Sequence, residues 1–258
     1  MKTHTALVTG ASSGIGYEYA RVLAEKGFNL LIVSNEAAIE DKAAILRKDF
    51  PKIDVLALVR DLGKQESALE LHNWCKENEV EVEMLVNNAG VYHDRDFLAD
   101  SEGFNSLILN LHVYTPAMLA YYFGQDMAAR GKGYIINMSS VTSKFGIQRM
   151  ATYSSTKGFL QMFSRSLHVE LRGKGVNVCC VRPGAVATTL YNLKPGAIKA
   201  GLFFGYIITP EKLARKGVRA VLRGRAQLTP GLSTKLLDGG VALIPTCVLR
   251  LIRKWNIF

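Results

Sequence analysis

Acidic side chains almost vanish from the last quarter of this chain. Residues 190–258 carry 12 Lys and Arg against Glu211 and Asp238 alone, whereas residues 1–189 hold 20 of each sign, so the net charge of +10 sits in the tail. A basic tail suits an anionic substrate, an acidic membrane surface or another subunit, or it is a solvated face with no partner. The Arg-rich stretch lacks interleaved aromatics and any recognisable nucleic-acid module, so no nucleic acid is expected as a partner. Cysteine is also scarce. Cys75, Cys179, Cys180 and Cys247 show no paired metal-ligand spacing, which argues against a metal site, and the Cys179-Cys180 pair lies in an apolar run that suits buried, reduced thiols. The start, MKTHTALVTG, has no long apolar stretch of the signal-peptide kind, so a reducing cytoplasm is the expected location. Asp238 and Pro245 break the hydrophobic stretch near the end, leaving it too short to span a bilayer. No internal repeat or low-complexity segment occurs.

What is present is a long alternation of short apolar runs with helical patterns. With 258 residues and 48% hydrophobic content, the chain can bury a full core, and one domain over residues 1–258 is expected. TALVT (Thr5 to Thr9) reads as a strand, GASSGIG as a tight turn, and YEYARVLAEKG as a helix ending on Gly27. Gly10, Gly14 and Gly16 permit a tight turn, close approach of a ligand to the backbone and close helix packing. The helix start behind them offers unpaired N–H groups and a positive dipole end to a pyrophosphate. Further strands are read at 28–34, 53–59, 82–90, 133–140 and 176–182, with helices of ten or more residues between them. This pattern predicts βαβ crossovers: an α/β, Rossmann-like, doubly wound parallel sheet covered on both faces. Ligands of such sheets bind beyond the carboxyl ends of the strands, where Ser34, Asp61 and Asn88 fall. A helix over 100–127 carries Asn110 among apolar neighbours, and a buried Asn needs partners, in structure or in a site.

The stretch 138–157, MSSVTSKFGIQRMATYSSTK, concentrates the candidate chemistry. Tyr153 and Lys157 lie four apart on a predicted helix and so share one face. A neighbouring ammonium favours the phenolate of a Tyr whose ordinary pKa is about 10. Ser140 stands at the end of the preceding strand. From Leu190 the character changes: 190–208, with Leu202, Phe203, Phe204, Tyr206 and Ile207, reads as an apolar lid over a pocket. Thr209-Pro210 supplies the N-cap and first residue of a helix whose Arg215, Arg219 and Arg223 recur every fourth residue. The last segment, IPTCVLRLIRKWNIF, opposes Val248, Leu251, Ile252 and Trp255 to Arg250, Arg253 and Lys254. Such a helix packs on the fold or a partner subunit, or lies peripherally in a membrane interface.

TGASSGIG at 9–16, NNAG at 87–90, Ser140, YSSTK at 153–157 and PGAVAT at 183–188 together resemble the classical short-chain dehydrogenases/reductases, over roughly residues 5–190. The GRAQLTPGLSTKLL stretch is similar to bacterial members related to ketoacyl and hydroxysteroid reductases. The resemblance implies a catalytic set of Asn110, Ser140, Tyr153 and Lys157. Tyr153 is then the acid or base, Lys157 lowers its pKa and bonds the nicotinamide ribose, Ser140 polarises the carbonyl, and Asn110 holds a relay water. It implies a cofactor cradle of Gly10, Ser12, Ser13, Gly14, Ile15, Gly16, Ser34, Asn35, Asp61, Leu62, Asn88, Ala89, Gly90, Pro183, Gly184, Val186 and Thr188, with Tyr153 and Lys157. Ser139 and Thr189 are read as structural.

Cofactor choice departs from the family pattern. Ser34 takes the place where NAD-selective members carry an acid, and Asn35 that where NADP-selective members often carry Arg. Without a carboxylate to repel a 2′-phosphate, and with two hydrogen-bonding side chains to meet it, NADP is favoured over NAD, with Glu36 opposing. The expected activity is interconversion of a secondary alcohol and a ketone on a largely apolar substrate, steroid-, bile-acid- or acyl-like. The alternative is a non-catalytic dinucleotide-binding sensor or membrane-associated scaffold. The apolar helices 100–127 and 151–171 lead us to expect a homodimer or homotetramer.

Overall fold

In the computed structural model, residues 4–144, 146, 148–188, 207–231, 234 and 235 are described. The chain starts β1 (Thr5–Thr9), α1 (Gly14–Glu25), β2 (Asn29–Ser34), α2 (Ile39–Asp49), β3 (Val55–Val59), α3 (Ser67–Glu77) and β4 (Val82–Asn87). It continues with α4 (Glu102–Leu109), a π-turn (Asn110–Tyr114), α5 (Thr115–Arg130), β5 (Gly133–Met138), α6 (Ala151–Arg172), β6 (Val176–Val181) and β7 (Ala185–Val186). Then come β8 (Ile207–Ile208), α7 (Pro210–Leu222) and β9 (Gln227–Leu228). Seven strands form one sheet in the order β3-β2-β1-β4-β5-β6-β9, every pairing parallel, while β7 and β8 pair apart from it. The fold is Rossmann-like. The strand order reverses between β1 and β4, and the crevice there is where such sheets take ligands.

Both faces of the sheet are buried, which is why its strands are continuous apolar runs. Side chains alternate, so Ala6, Val8, Leu30, Ile32, Cys179 and Val181 pack under α1, α2 and α7. Leu7, Leu31, Val33, Leu85, Ile135 and Val178 pack under α3 and α5. The three described cysteines, Cys75, Cys179 and Cys180, are free and buried, and burial pushes their thiols up to about 12, 12 and 11, so they stay protonated.

The helix expected over 100–127 is three pieces. Ser101 Oγ accepts from Phe104 N and caps α4, then the Thr115 N–H reaches back to Asn110 O, inserting one extra residue before α5. The Arg stripe also divides. Arg215 binds Glu25 of α1 and Glu211, while Arg219 and Arg223 face a separate basic cavity with Lys216, Arg225 and Lys235. Thr209 caps α7 by accepting from Lys212 N, with Pro210 as the first helical residue. Among the described residues no helix is long and apolar enough to cross a membrane, and no group of His, Cys, Asp and Glu could hold a metal. Thr189, most of the expected lid and the basic C-terminal helix lie outside the described residues.

Candidate active site

A cavity of about 410 Å³ opens at the carboxyl ends of the strands. Its floor is built by the turns after β1 and β4. Gly10 takes a φ of +65°, and a Cβ there would stand 2.8 Å from Ala89 Cα, so only glycine lets the two turns close. Thr9 Oγ1 accepts from the N–H groups of Asn88 and Ala89, both at 3.0 Å. In return Asn88 Nδ2 donates to Thr9 O at 3.0 Å and Gly10 O at 3.2 Å. Ser12, Ser13, Gly14 and Ile15 line the cavity around the first turn of α1, whose leading N–H groups lack intrahelical partners. Gly16 does not line it. A Cβ at Gly16 would overlap Gly10 O, so this glycine serves packing inside the turn.

One rim is formed by Ser34, Asn35 and Glu36 after β2 and by Arg60, Asp61 and Leu62 after β3. Ser34 O accepts from Arg60 N at 2.8 Å, and Ser34 Oγ accepts from Glu36 N at 3.2 Å. Arg60 Nη1 lies 3.2 Å from Glu70, and Asp61 Oδ1 accepts from Gly63 N at 2.9 Å. The opposite wall brings Ser140, Tyr153 and Lys157 to the same cavity as Asn88, Ala89 and Gly90. Lys157 Nζ donates to Met138 O at 2.9 Å and lies 5.6 Å from the Tyr153 ring centre. Burial pushes the Lys157 ammonium down to about 8, opposed weakly by Cys180. Ser139 Oγ donates to Lys157 O at 2.6 Å and fixes the backbone of α6, whereas Ser140 Oγ accepts from Thr142 N at 3.2 Å. Tyr92 packs edge-on to Tyr153 at 5.2 Å. Asn110 does not line the cavity; it opens the π-turn, and its carbonyl accepts from Thr115 N.

Pro183, Gly184, Val186 and Thr188 complete the wall. Thr188 Oγ1 is buried without a hydrogen-bond partner among the described residues. An orphaned hydroxyl there, leading helix N–H groups without intrahelical partners and a glycine-rich turn fit a nicotinamide dinucleotide. The cavity also includes Glu36, weighed above against NADP, Ser139, read above as structural, and residues that sequence reasoning passed over: Arg60, Val91, Leu107, Leu111, His112 and Met138. Arg60 was legible as the neighbour of Asp61 at a strand end, and His112 as a polar residue in the apolar run LNLHV. His112 is 1% exposed, and burial, reinforced by Lys157, holds its imidazole well below the ordinary range and therefore neutral.

Comparison with known proteins agrees with this geometry. A very-long-chain 3-oxoacyl-CoA reductase from Danio rerio is 31% identical over 194 residues, 73% of this chain and 60% of the relative, so the match spans less than two thirds of that relative's length. The bulky-bulky ketone specific alcohol dehydrogenase of Comamonas testosteroni superposes with a TM-score of 0.78 at 27% identity, covering 95% of this chain and 96% of that one. A short-chain dehydrogenase from Sphingobium yanoikuyae, solved with NADPH, gives 0.79 at 26%, covering 94% and 97%. The sequence profile described as short chain dehydrogenase matches residues 4–195, and with the parallel sheet and the cavity at its switch point this places the chain in the short-chain dehydrogenase family.

Proposed function

We propose that this chain is an NADP(H)-dependent oxidoreductase that interconverts a secondary alcohol and a ketone on a largely apolar, acyl- or steroid-like substrate. The observation that carries the reading is the convergence of Ser140, Tyr153 and Lys157 on one cavity with the β1 and β4 turns. The bound nicotinamide supplies or accepts the hydride. Tyr153 gives its phenolic proton to the carbonyl oxygen in reduction and takes it back in oxidation, while Ser140 Oγ–H holds and polarises that oxygen. Lys157 stabilises the phenolate from behind. Asn110, at the π-turn, is assigned the relay water that returns protons to Lys157, a role that rests on the family resemblance.

Three features support NADP. Ser34 leaves the rim without a carboxylate at the ribose position, Arg60 adds a cation to the same rim, and a structural neighbour was solved with NADPH. Glu36 and Asp61 on the same rim, and the Glu70 that pairs with Arg60, oppose them. The apolar substrate is supported by the cavity's Val91, Leu107 and Leu111, and by relatives named for 3-oxoacyl-CoA and bulky ketones. The test is initial-rate kinetics with NADPH and NADH on 3-oxoacyl thioesters, steroids and small sugars. Tyr153→Phe is expected to lower kcat by about 10²- to 10⁴-fold with cofactor binding retained. Full activity of that variant sinks the mechanism, turnover confined to polar sugars sinks the substrate class, and a clear NADH preference sinks the cofactor assignment.

A further inference from the structure

His112 has no role in the chemistry above, yet it touches both halves of the site. Its Nε2 lies 3.0 Å from the backbone N–H of Val91, the residue that follows the Asn88–Gly90 floor. A backbone N–H only donates, so Nε2 is the acceptor and the ring proton of the neutral imidazole resides on Nδ1. Nδ1 is 3.2 Å from Thr156 Oγ1, and the Thr156 hydroxyl donates to Tyr153 O at 2.8 Å. The direction of every bond is therefore settled: Val91 N–H to His112, His112 to Thr156, Thr156 to the Tyr153 carbonyl. The ring also stands edge-on to the Tyr153 ring at 5.8 Å. On the other side Gly90 leaves it room, since a Cβ there would fall 2.6 Å from Nε2.

From this chain of bonds we infer that His112 is a positioning residue that ties the cofactor floor at Val91 to the backbone of Tyr153, setting the phenol against the bound nicotinamide. The inference rests on the oxidoreductase reading. A histidine satisfied merely for core stability bonds wherever partners lie; here both ends of the chain of bonds are cavity residues, and His112 itself lines the cavity. Misplacing a reacting group by about 1 Å can cost about 100-fold in rate, so the effect belongs in the hydride-transfer step more than in cofactor affinity.

The experiment compares His112→Phe, His112→Gln, Thr156→Val and the His112→Phe/Thr156→Val double variant in the full chain. It reads kcat, NADPH affinity and melting temperature. His112→Phe keeps a ring and loses both bonds, and is expected to lower kcat about 10- to 100-fold with NADPH affinity within a few-fold. Gln offers an amide oxygen where Nε2 accepts from Val91, so His112→Gln is expected to recover most of that loss. Thr156→Val breaks the same chain away from the cavity, and the double variant is expected to be no slower than the slower single variant, because both act through one path. Folded variants with wild-type kcat, or losses that simply multiply in the double variant, overturn the inference and leave the oxidoreductase reading intact. Absence of turnover in the wild-type chain overturns the reading and the inference together.

Discussion

Lys157 holds an ammonium where almost no water reaches it, and the consequence is a stability that depends on pH. Its folded pKa of about 8 lies below the reference 10.5, so between the two the unfolded chain binds more protons than the folded one. Stability contributed through this group therefore rises as pH increases from about 8 to about 10.5, by roughly 3 kcal/mol at one pKa unit per 1.4 kcal/mol. Urea unfolding of the cofactor-free protein across that window, minus the same series for Lys157→Met, isolates this contribution; parallel curves would refute it. Subtraction is needed because the buried thiols act in the opposite sense. Their folded pKa values are raised, so they lose stability above the ordinary thiol range. At this scale helical spacing set Tyr153 and Lys157 on one face, and the surrounding motifs, through the family resemblance, gave the pair an expected role. The sequence marked Arg60 and His112 as polar residues but could not place them: Arg60 borders the cavity because parallel pairing sets it beside Ser34, and His112 because a π-turn places it under Gly90.

Helices α1 and α7 meet closely: Arg215 binds Glu25 and Arg21 lies 3.0 Å from Glu211 at the edge, and Gly217 faces Tyr19 between them. A Cβ added to Gly217 would overlap the hydroxyl of Tyr19, which is fully buried and has no hydrogen-bond partner among the described residues. Alanine in a helix interior gains up to about 1 kcal/mol over glycine, but overpacking costs about 1–3 kcal/mol. Gly217→Ala is therefore expected to lower the melting temperature. Adding Tyr19→Phe should restore part of the loss, because deleting an unpartnered buried hydroxyl removes both a clash and a desolvation cost. Additive effects in that double-mutant cycle would contradict the contact. Strand β1 was readable to its ends because Gly10 closes an apolar run, whereas the π-turn left no mark, since Asn110–Tyr114 continues the helical pattern. The Arg stripe misled for a related reason: Glu25, which draws Arg215 away from Arg219 and Arg223, comes from a helix 190 residues earlier.

For the molecule as a whole, the outer surface of α5 and α6 carries the apolar groups that the core does not use. Tyr121, Phe159, Met162 and Val169 are exposed, Val169 by 75%, and the last three fall on one side of α6. Grouped apolar exposure of this kind marks an association surface. Light scattering is expected to report a homodimer or homotetramer, and Met162→Asp with Val169→Asp to yield monomers; a monomeric wild-type chain would rule this out. The division of the sheet into two faces followed from the alternation of the strands, whereas no period marks residues 190–206, where the lid is expected and which lie outside the described residues. The short β7–β8 pairing bears on that cover. Ala185 and Val186 lie beside Ile207 and Ile208, with Ala187 N donating to Ile208 O at 3.0 Å, so the segment between leaves and re-enters the fold at a single stem. The entropy of closing a loop changes by only about 0.6 kcal/mol per doubling of length. The stem thus works as a socket: exchange of residues 189–206, which lie outside the described ones, for those of a relative is expected to leave the melting temperature and the nucleotide affinity close to those of the parent chain.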